Sequence, residues 1–410
     1  MHVGIIGAGI IGVSTACYLA ERGIAVTLID PAAPGEGGAS RGNASQVVPA
    51  LVHPLASPAV LKDLPRLLFG RDSPLALPLG HSLQMLPWLL GFASAAMPRR
   101  HARGVAAITA LNATALTTYE ALLQRTGGSR LLRLSGGIQI YDSARSLARG
   151  AAQWQAVPAS HRGRLEVLDR KALLALEPAL GPSSHGGVFL ANTGILHDPL
   201  ALVRHLAAYA EAKGAELLRD RVTGIESSAD RVTLQLAGGA PRRFDRTVLA
   251  AGVWSKPLLA ALGEPQRLET ERGYNLTLPA VAKGLNHALI FADRGVAATQ
   301  VASGLRLGGW DELGGRTRPP NPAIFKAMEA LAQELLPGFD WAAGERWMGH
   351  RPSLPDSLPV ICRSPRHPAL CYGFGHGHLG MTQGPVTGQL LADLVTGRTP
   401  ALDLAPYGLR

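Results

Sequence analysis

His2-Val-Gly-Ile-Ile-Gly-Ala-Gly-Ile-Ile-Gly-Val13 sets Gly7, Gly9 and Gly12 in a G-x-G-x-x-G turn between a strand-like and a helix-like apolar stretch. The spacing predicts a strand over Val3–Ile6, a tight turn at Gly7 and backbone approach to a pyrophosphate at Gly9. At Gly12 it predicts close packing of a helix that starts near Ile10 and Ile11. The first N–H groups of that helix, at the positive end of its dipole, suit a phosphate. Glycine-rich strand-to-helix turns also serve as plain packing devices, so the pattern by itself is weak. A second strand, Ala25–Ile29, ends at Asp30, where an acid can hold the ribose hydroxyls of an adenosine, and that partner favours a dinucleotide site. NAD and FAD are both open at this point.

Composition bounds the rest. With 410 residues, 47% hydrophobic and 17% charged, the chain has ample core for two globular domains. A net charge of +10 raises the question of nucleic acid, but only six of the 40 basic residues are lysines and the arginines are scattered. No basic block is longer than Pro98-Arg-Arg-His-Ala-Arg103, so no nucleic-acid partner is expected, although a basic surface favours anionic substrates or an anionic membrane face. Cys17, Cys362 and Cys371 form no C-x-x-C pair and are too few for a disulfide framework, which points to a reducing compartment. The chain opens on a strand without a signal-like leader, and a cytoplasmic location is expected. The apolar region from Leu64 to Met97 is broken by Pro74, Pro78 and Pro87, and by Arg71, Asp72 and His81. It is expected not to span a membrane, which needs about 20 uninterrupted apolar residues, while peripheral contact with the inner face stays open against packing within the fold.

Beyond the first βαβ unit, Pro31–Gly42 reads as an extended loop. A long amphipathic helix is expected over Val105–Arg125, strands around Gly136-Gly137, and a helix from Pro199 to Lys213 with Gly214 just past its end. Strands follow at Ala215–Leu218, Val222–Glu226, Val232–Leu236 and Thr247–Ala250. From Gln266 to about Trp341 shorter alternating strands and a helix at Pro322–Leu336 suggest an antiparallel sheet in another domain. The last helix is expected over Pro385–Thr396. The fold class is therefore α/β, with a discontinuous Rossmann-like dinucleotide-binding domain (1–85, 155–265 and 345–410) plus an α+β substrate domain with a mainly antiparallel sheet (86–154 and 266–344).

Several ordered segments carry a resemblance: Gly7-Ala-Gly-Ile-Ile-Gly12, Asp30, Ala39-Ser-Arg-Gly-Asn-Ala-Ser-Gln46 and Leu249-Ala-Ala-Gly-Val-Trp254, then Gly349-His-Arg-Pro-Ser-Leu-Pro-Asp-Ser-Leu-Pro359 and Gly375-His-Gly-His-Leu-Gly-Met-Thr382. Together, from residue 1 to about 398, they resemble the FAD-dependent D-amino-acid oxidase superfamily, and within it the D-amino-acid dehydrogenase branch that includes D-proline and hydroxyproline enzymes. The resemblance implies non-covalent FAD, because the neighbourhood Arg346-Trp-Met-Gly-His350 lacks the tethering cysteine of sarcosine-type relatives. It also implies that Ser40, Asn43 and Ala44 follow the pyrophosphate, with a plain Asx/Ser turn as the alternative for that loop. Val222, Ala251, Gly252 and Trp254 would line the adenosine half. Gly377, His378, Leu379, Gly380, Met381 and Thr382 would face the flavin's N1–O2 edge, where a helix start favours the anionic reduced ring.

By the same resemblance Arg351 would hold the substrate carboxylate by a bidentate contact, against the alternative of a surface arginine paired with Asp356. Tyr274 would offer its hydroxyl to the substrate or simply pack in the core. His53, His350, His376 and His378 are candidates for shaping the pocket. His376 and His378, two apart without a cysteine or acid nearby in sequence, are not expected to hold a metal. The expected reaction oxidises the CH–NH bond of a D-amino acid, D-proline or cis-4-hydroxy-D-proline among them, by hydride transfer to flavin N5. Electrons then pass to oxygen or to a quinone. Glycine- or sarcosine-type oxidation on the same fold, and a non-catalytic flavoprotein, are the rival readings.

Overall fold

The computed structural model describes residues 1–62, 75–76, 79–279, 281 and 284–410. The opening strand His2–Ile6 lies in the middle of a six-stranded sheet. The order is Glu216–Leu218, Ala25–Ile29, His2–Ile6, Arg246–Leu249, Leu370–Phe374 and Val360–Arg363. The first five strands pair in parallel and the last runs antiparallel. Buried on both faces, these strands read as near-continuous apolar runs, with Val3, Ile5, Val248 and Leu370 fully inaccessible. Helix Ile10–Glu21 and the closing helix Gly380–Thr396 cross on one face. A Cβ at Gly384 would lie 2.5 Å from Ile10 and one at Gly388 2.6 Å from Ser14, so the two glycines set how closely these helices approach. A three-stranded antiparallel sheet, Val222–Ser227, Val232–Leu236 and Arg242–Phe244, stands beside them.

The second layer is a long mixed sheet in the order Glu345–Ser353, Glu269–Leu278, Gly304–Glu312, Val296–Val301, Ala288–Phe291, Gly137–Tyr141, Gly186–Leu190 and Leu165–Leu168. All the pairings along this path are antiparallel except Ala288–Phe291 with Gly137–Tyr141. Helix Pro322–Leu335 covers one face through Ile324, Phe325, Met328, Ala332 and Leu335, and its first turn is capped by Asn321 accepting from the Ala323 N–H. On strand Glu269–Leu278, Tyr274, Leu276 and Leu278 join that covered core, which leaves the alternate positions facing the nucleotide half.

Three expectations change. Leu165–Leu168, Gly186–Leu190 and Glu345–Ser353, placed by sequence in the nucleotide segments, are strands of the long sheet, because pairing partners distant in sequence decide sheet membership. The single helix over Val105–Arg125 is two, Pro98–Asn112 and Ala115–Thr126, broken where Asn112 donates its side-chain amide to the carbonyls of Pro49 and Leu51. Both pack into the nucleotide core through Ile108, Leu111, Tyr119 and Leu122 rather than onto the long sheet. The closing helix begins at Gly380, ahead of Pro385. Part of the apolar region from Leu64, with Arg71, Asp72, Pro74 and Pro78, lies outside the described residues. Its later portion forms helix Leu79–Ala95 with Pro87 inside it. Among the described residues no helix is long and apolar enough to cross a membrane.

Candidate active site

The nucleotide sheet and the uncovered face of the long sheet enclose a cavity of about 1140 Å³. Every residue expected at the site lines it except Gly12, which stands behind the turn. Gly7 adopts φ +106°, and a Cβ there would come 2.5 Å from the Ala250 carbonyl oxygen. A Cβ at Gly12 would meet the Gly7 carbonyl oxygen at 1.9 Å, so this glycine holds strand and helix together. Gly9 differs: its nearest neighbour would be the Ser40 hydroxyl at 3.4 Å, and the missing side chain leaves room above the helix start. That room, beside free N–H groups at the first turn, fits a pyrophosphate and could not be inferred from packing alone.

Asp30 has a structural duty beside any ribose contact. Its carboxylate accepts from the Ala8 and Ala32 N–H groups at 2.8 and 2.9 Å, fixing the glycine turn, and burial pushes its pKa up. Ser40 accepts from the Ile10 N–H at 3.2 Å, so its hydroxyl stands at the helix start. Asn43 turns its amide oxygen to the Ser45 N–H at 2.8 Å, an Asx turn. The loop is pinned from the long sheet: Arg306 donates to the Asn43 carbonyl at 2.8 Å and Asn275 to the Gly42 carbonyl at 2.9 Å. Thr382 accepts from the Val48 N–H, and Tyr119 donates to the Met381 carbonyl, which ties the start of the closing helix to its surroundings. Ala251 and Gly252, with φ +55° at the glycine, open the turn after strand Arg246–Leu249, and Trp254 packs edge-on against His350. No cysteine lines the cavity among the described residues; burial raises the Cys17 and Cys371 thiols to about 12 and that of Cys362 to about 11.

The far end of the cavity is built on three strands. Arg351 pairs across the sheet with Glu271, and Gly273 with Asp311. The Arg351 guanidinium leans over Gly273, where a Cβ would come within 2.3 Å of its central carbon, and reaches the Asp311 carboxylate and the Trp310 carbonyl. It therefore does not pair with Asp356, which is held by Arg410. Asp311 faces the cavity because of an irregularity in the ladder. Tyr274 opposes Gly309 and Gly273 opposes Asp311, so Trp310 is an extra residue. It bulges out at φ +58°, a conformation costing a non-glycine residue about 1–3 kcal/mol. Were Trp310 a regular ladder residue instead of an extra one, strict alternation would turn Asp311 onto the core face under the helix.

His378, in the 3-10 turn Gly377–Leu379, completes the cluster: its ring nitrogens lie 3.3 Å from Asp311 and 3.5 Å from Glu271. Acids far away in sequence thus surround it, although none is near it along the chain. Burial would raise the Asp311 carboxyl, but the His378 and Arg351 charges outweigh it and hold it at about 2. Burial opposes charging of His378, yet Asp311 raises it above its ordinary value. Glu271, buried, is pushed up by desolvation and by the Asp311 charge. Neither Glu271 nor Asp311 was singled out from sequence. Alternation along Glu271-Arg-Gly-Tyr274 could have pointed to the first, and nothing local signals the bulge that turns the second.

Tyr274 departs from its expected role. Its backbone borders the cavity, but the side chain points into the helix-covered core, where the ring meets Phe325 and the hydroxyl donates to Glu312 and accepts from the Asn321 N–H. It is a packing residue, one of the two readings open from sequence. His376 is buried with a ring nitrogen on the Thr387 hydroxyl at 3.0 Å, and His350 bonds the Thr270 hydroxyl at 2.9 Å. His53 borders the cavity and stacks on His101.

A family model described as "FAD dependent oxidoreductase" matches residues 2–394. A protein from Bradyrhizobium diazoefficiens named "D-amino-acid oxidase" is 33% identical, covering 99% of this chain and 97% of that protein. A Mesorhizobium japonicum protein named "D-amino acid dehydrogenase 2" is 32% identical over 100% of this chain and 99% of its own length. The crystal structure of glycine oxidase from Geobacillus kaustophilus superposes with a TM-score of 0.74 at 24% identity, covering 100% of this chain and 98% of that one, a likeness of fold.

Proposed function

The chain belongs to the FAD-dependent oxidoreductase family, and from that premise we propose that it oxidises the CH–NH bond of a D-amino acid to the imino acid, with FAD held non-covalently. One observation carries the reading: Arg351 presents its guanidinium to the cavity end opposite the Gly7–Gly12 turn, beside the glycine-rich return at Gly377. A planar fork of donors suits a carboxylate. The names of the full-length relatives support D-amino acids as the class, and D-proline and cis-4-hydroxy-D-proline belong to the substrates to be compared.

When bound, FAD supplies the two-electron acceptor for the α-hydrogen leaving as hydride. The chain's own part is placement and charge. Gly9, Ser40 and the first turn of helix Ile10–Glu21 receive the pyrophosphate, and Ala251, Gly252, Trp254 and Val222 border the adenosine. The 3-10 turn Gly377–Leu379 and the first turn of the closing helix, to Thr382, would offer their positive end to the flavin ring. Arg351 fixes the substrate carboxylate so that the α-carbon has one orientation. The amine gives up its proton to solvent before the α-hydrogen leaves, and the oxidised substrate departs as the imino acid. Electrons pass on to oxygen or a quinone; Leu86 and Leu90, exposed one turn apart on helix Leu79–Ala95, support contact with a membrane face where a quinone is held.

Arg351→Ala tests the anchor. Losing two charge-assisted hydrogen bonds at roughly 1.5–3 kcal/mol each raises KM by about a hundredfold or more, while kcat for the bound amino acid falls less. Oxygen uptake against quinone-dye reduction in the same assay identifies the acceptor. An unchanged KM contradicts the anchor.

A further inference from the structure

Arg351 already has an anion. Its guanidinium lies on Asp311, and the bulge at Trp310, with its strained backbone, leaves that carboxylate facing the cavity. A site meant for a bare carboxylate gains nothing from an acid on its arginine. A zwitterion would use both. Its carboxylate takes the guanidinium and releases Asp311, whose ionised side chain then faces the substrate's ammonium. Glu271 adds a second acceptor: it is 4% exposed, and its Oε2, 3.5 Å from the His378 ring, has no hydrogen-bond partner. Carboxylate oxygens of Glu271 and Asp311 lie within 4.8 Å of each other, a gap that one ammonium can bridge with ordinary hydrogen bonds of about 2.8 Å.

We propose that Asp311 is the ammonium-binding residue of the site, exchanging Arg351 for the substrate amine as the carboxylate arrives, with the buried Glu271 oxygen as the neighbouring acceptor. The Arg351–Asp311 ion pair is thus replaced by two pairs, one to each end of the amino acid, with His378 still beside Asp311. Because both pairs form only with a zwitterion, the exchange discriminates against carboxylates that lack an amine. A des-amino acid breaks the Arg351–Asp311 pair and returns only one partner. The inference rests on Arg351 as carboxylate anchor, so the test separates the two.

The test uses FAD-loaded protein and matched ligands: D-proline with cyclopentanecarboxylate, and D-alanine with propanoate. Carboxylate affinity is read from the flavin difference spectrum, and amino-acid affinity from the concentration giving half-maximal anaerobic flavin reduction. In the wild type the des-amino partner is expected to bind at least tenfold more weakly than its amino acid. In Asp311→Asn the ranking is expected to converge from both sides: the carboxylate binds several-fold more tightly, because Arg351 is free, and the amino acid tenfold or more weakly. Asp311→Ser serves in its place should the asparagine variant not retain FAD. Weaker binding of both ligands would show that Asp311 merely props Arg351, and overturns the proposal. So does unchanged amino-acid affinity, or a wild type that prefers the des-amino ligand. Failure of Arg351→Ala to weaken the carboxylates would instead defeat the anchor, whatever Asp311 does.

Discussion

At the scale of single residues, burial and neighbouring charge decide what each candidate can do. His376 and His378 are two positions apart, yet burial pushes the first down to about 3 while Asp311 raises the second above its ordinary value. The first has only a hydroxyl partner and stays neutral; the second faces two acids. The neutral His376 ring has a consequence for stability. The unfolded chain protonates this histidine at its ordinary value of 6.5, while the folded chain resists until about 3. Its contribution is therefore whole above the ordinary value and is lost as pH falls toward the folded one, at up to about 1.4 kcal/mol per pH unit. Denaturant unfolding of His376→Asn between about pH 6 and 4 is expected to show a shallower fall than the wild type by close to that slope. Parallel curves would contradict a neutral buried ring.

Elements are where sequence reading succeeds and then stops. The first βαβ unit was legible because every determinant is local: Gly7 for a positive φ, Gly12 for contact with a carbonyl, Asp30 at the end of the neighbouring strand. Arg351 was legible through the motif around it. Asp311 was not, because its direction depends on one inserted residue in a ladder between Glu269–Leu278 and Gly304–Glu312, strands far apart in sequence. The same ambiguity left Tyr274 with two readings, since a strand motif does not say which face it shows. Two glycines with similar clashes should separate the two ends of the site. At Gly12 the obstacle is backbone, so Gly12→Ala displaces the turn, and the purified protein is expected to lose most of its FAD. At Gly273 the obstacle is the tip of Arg351, which can swing away. Gly273→Ala is expected to keep its FAD absorbance and lose substrate affinity by tenfold or more. Equal FAD content in both variants would contradict this division.

On the scale of the whole molecule, function depends on two layers meeting. The nucleotide sheet contributes the glycine turn and the closing helix, and the long sheet contributes Glu271, Asp311 and Arg351 on one face with a helix-covered core on the other. Chain order hides this, since the strands of the long sheet come from segments scattered between residues 137 and 353. Leu165–Leu168 and Gly186–Leu190 fell in a segment assigned to the nucleotide half because nothing local in sequence names the partner of a strand. The loop from Ser40 to Ser45 joins the layers, held at Gly42 and Asn43 by Asn275 and Arg306 of the long sheet. The cavity between the layers thus runs from a phosphate-type turn to an arginine and an acid. The most direct measurement is anaerobic mixing of the FAD-loaded protein with D-alanine, D-proline and cis-4-hydroxy-D-proline, and with glycine, sarcosine and the L-amino acids, followed at the long-wavelength flavin band. The account predicts that at least one D-amino acid bleaches the band while its L-counterpart leaves it; a flavin that stays oxidised with every amino acid and amine would contradict it.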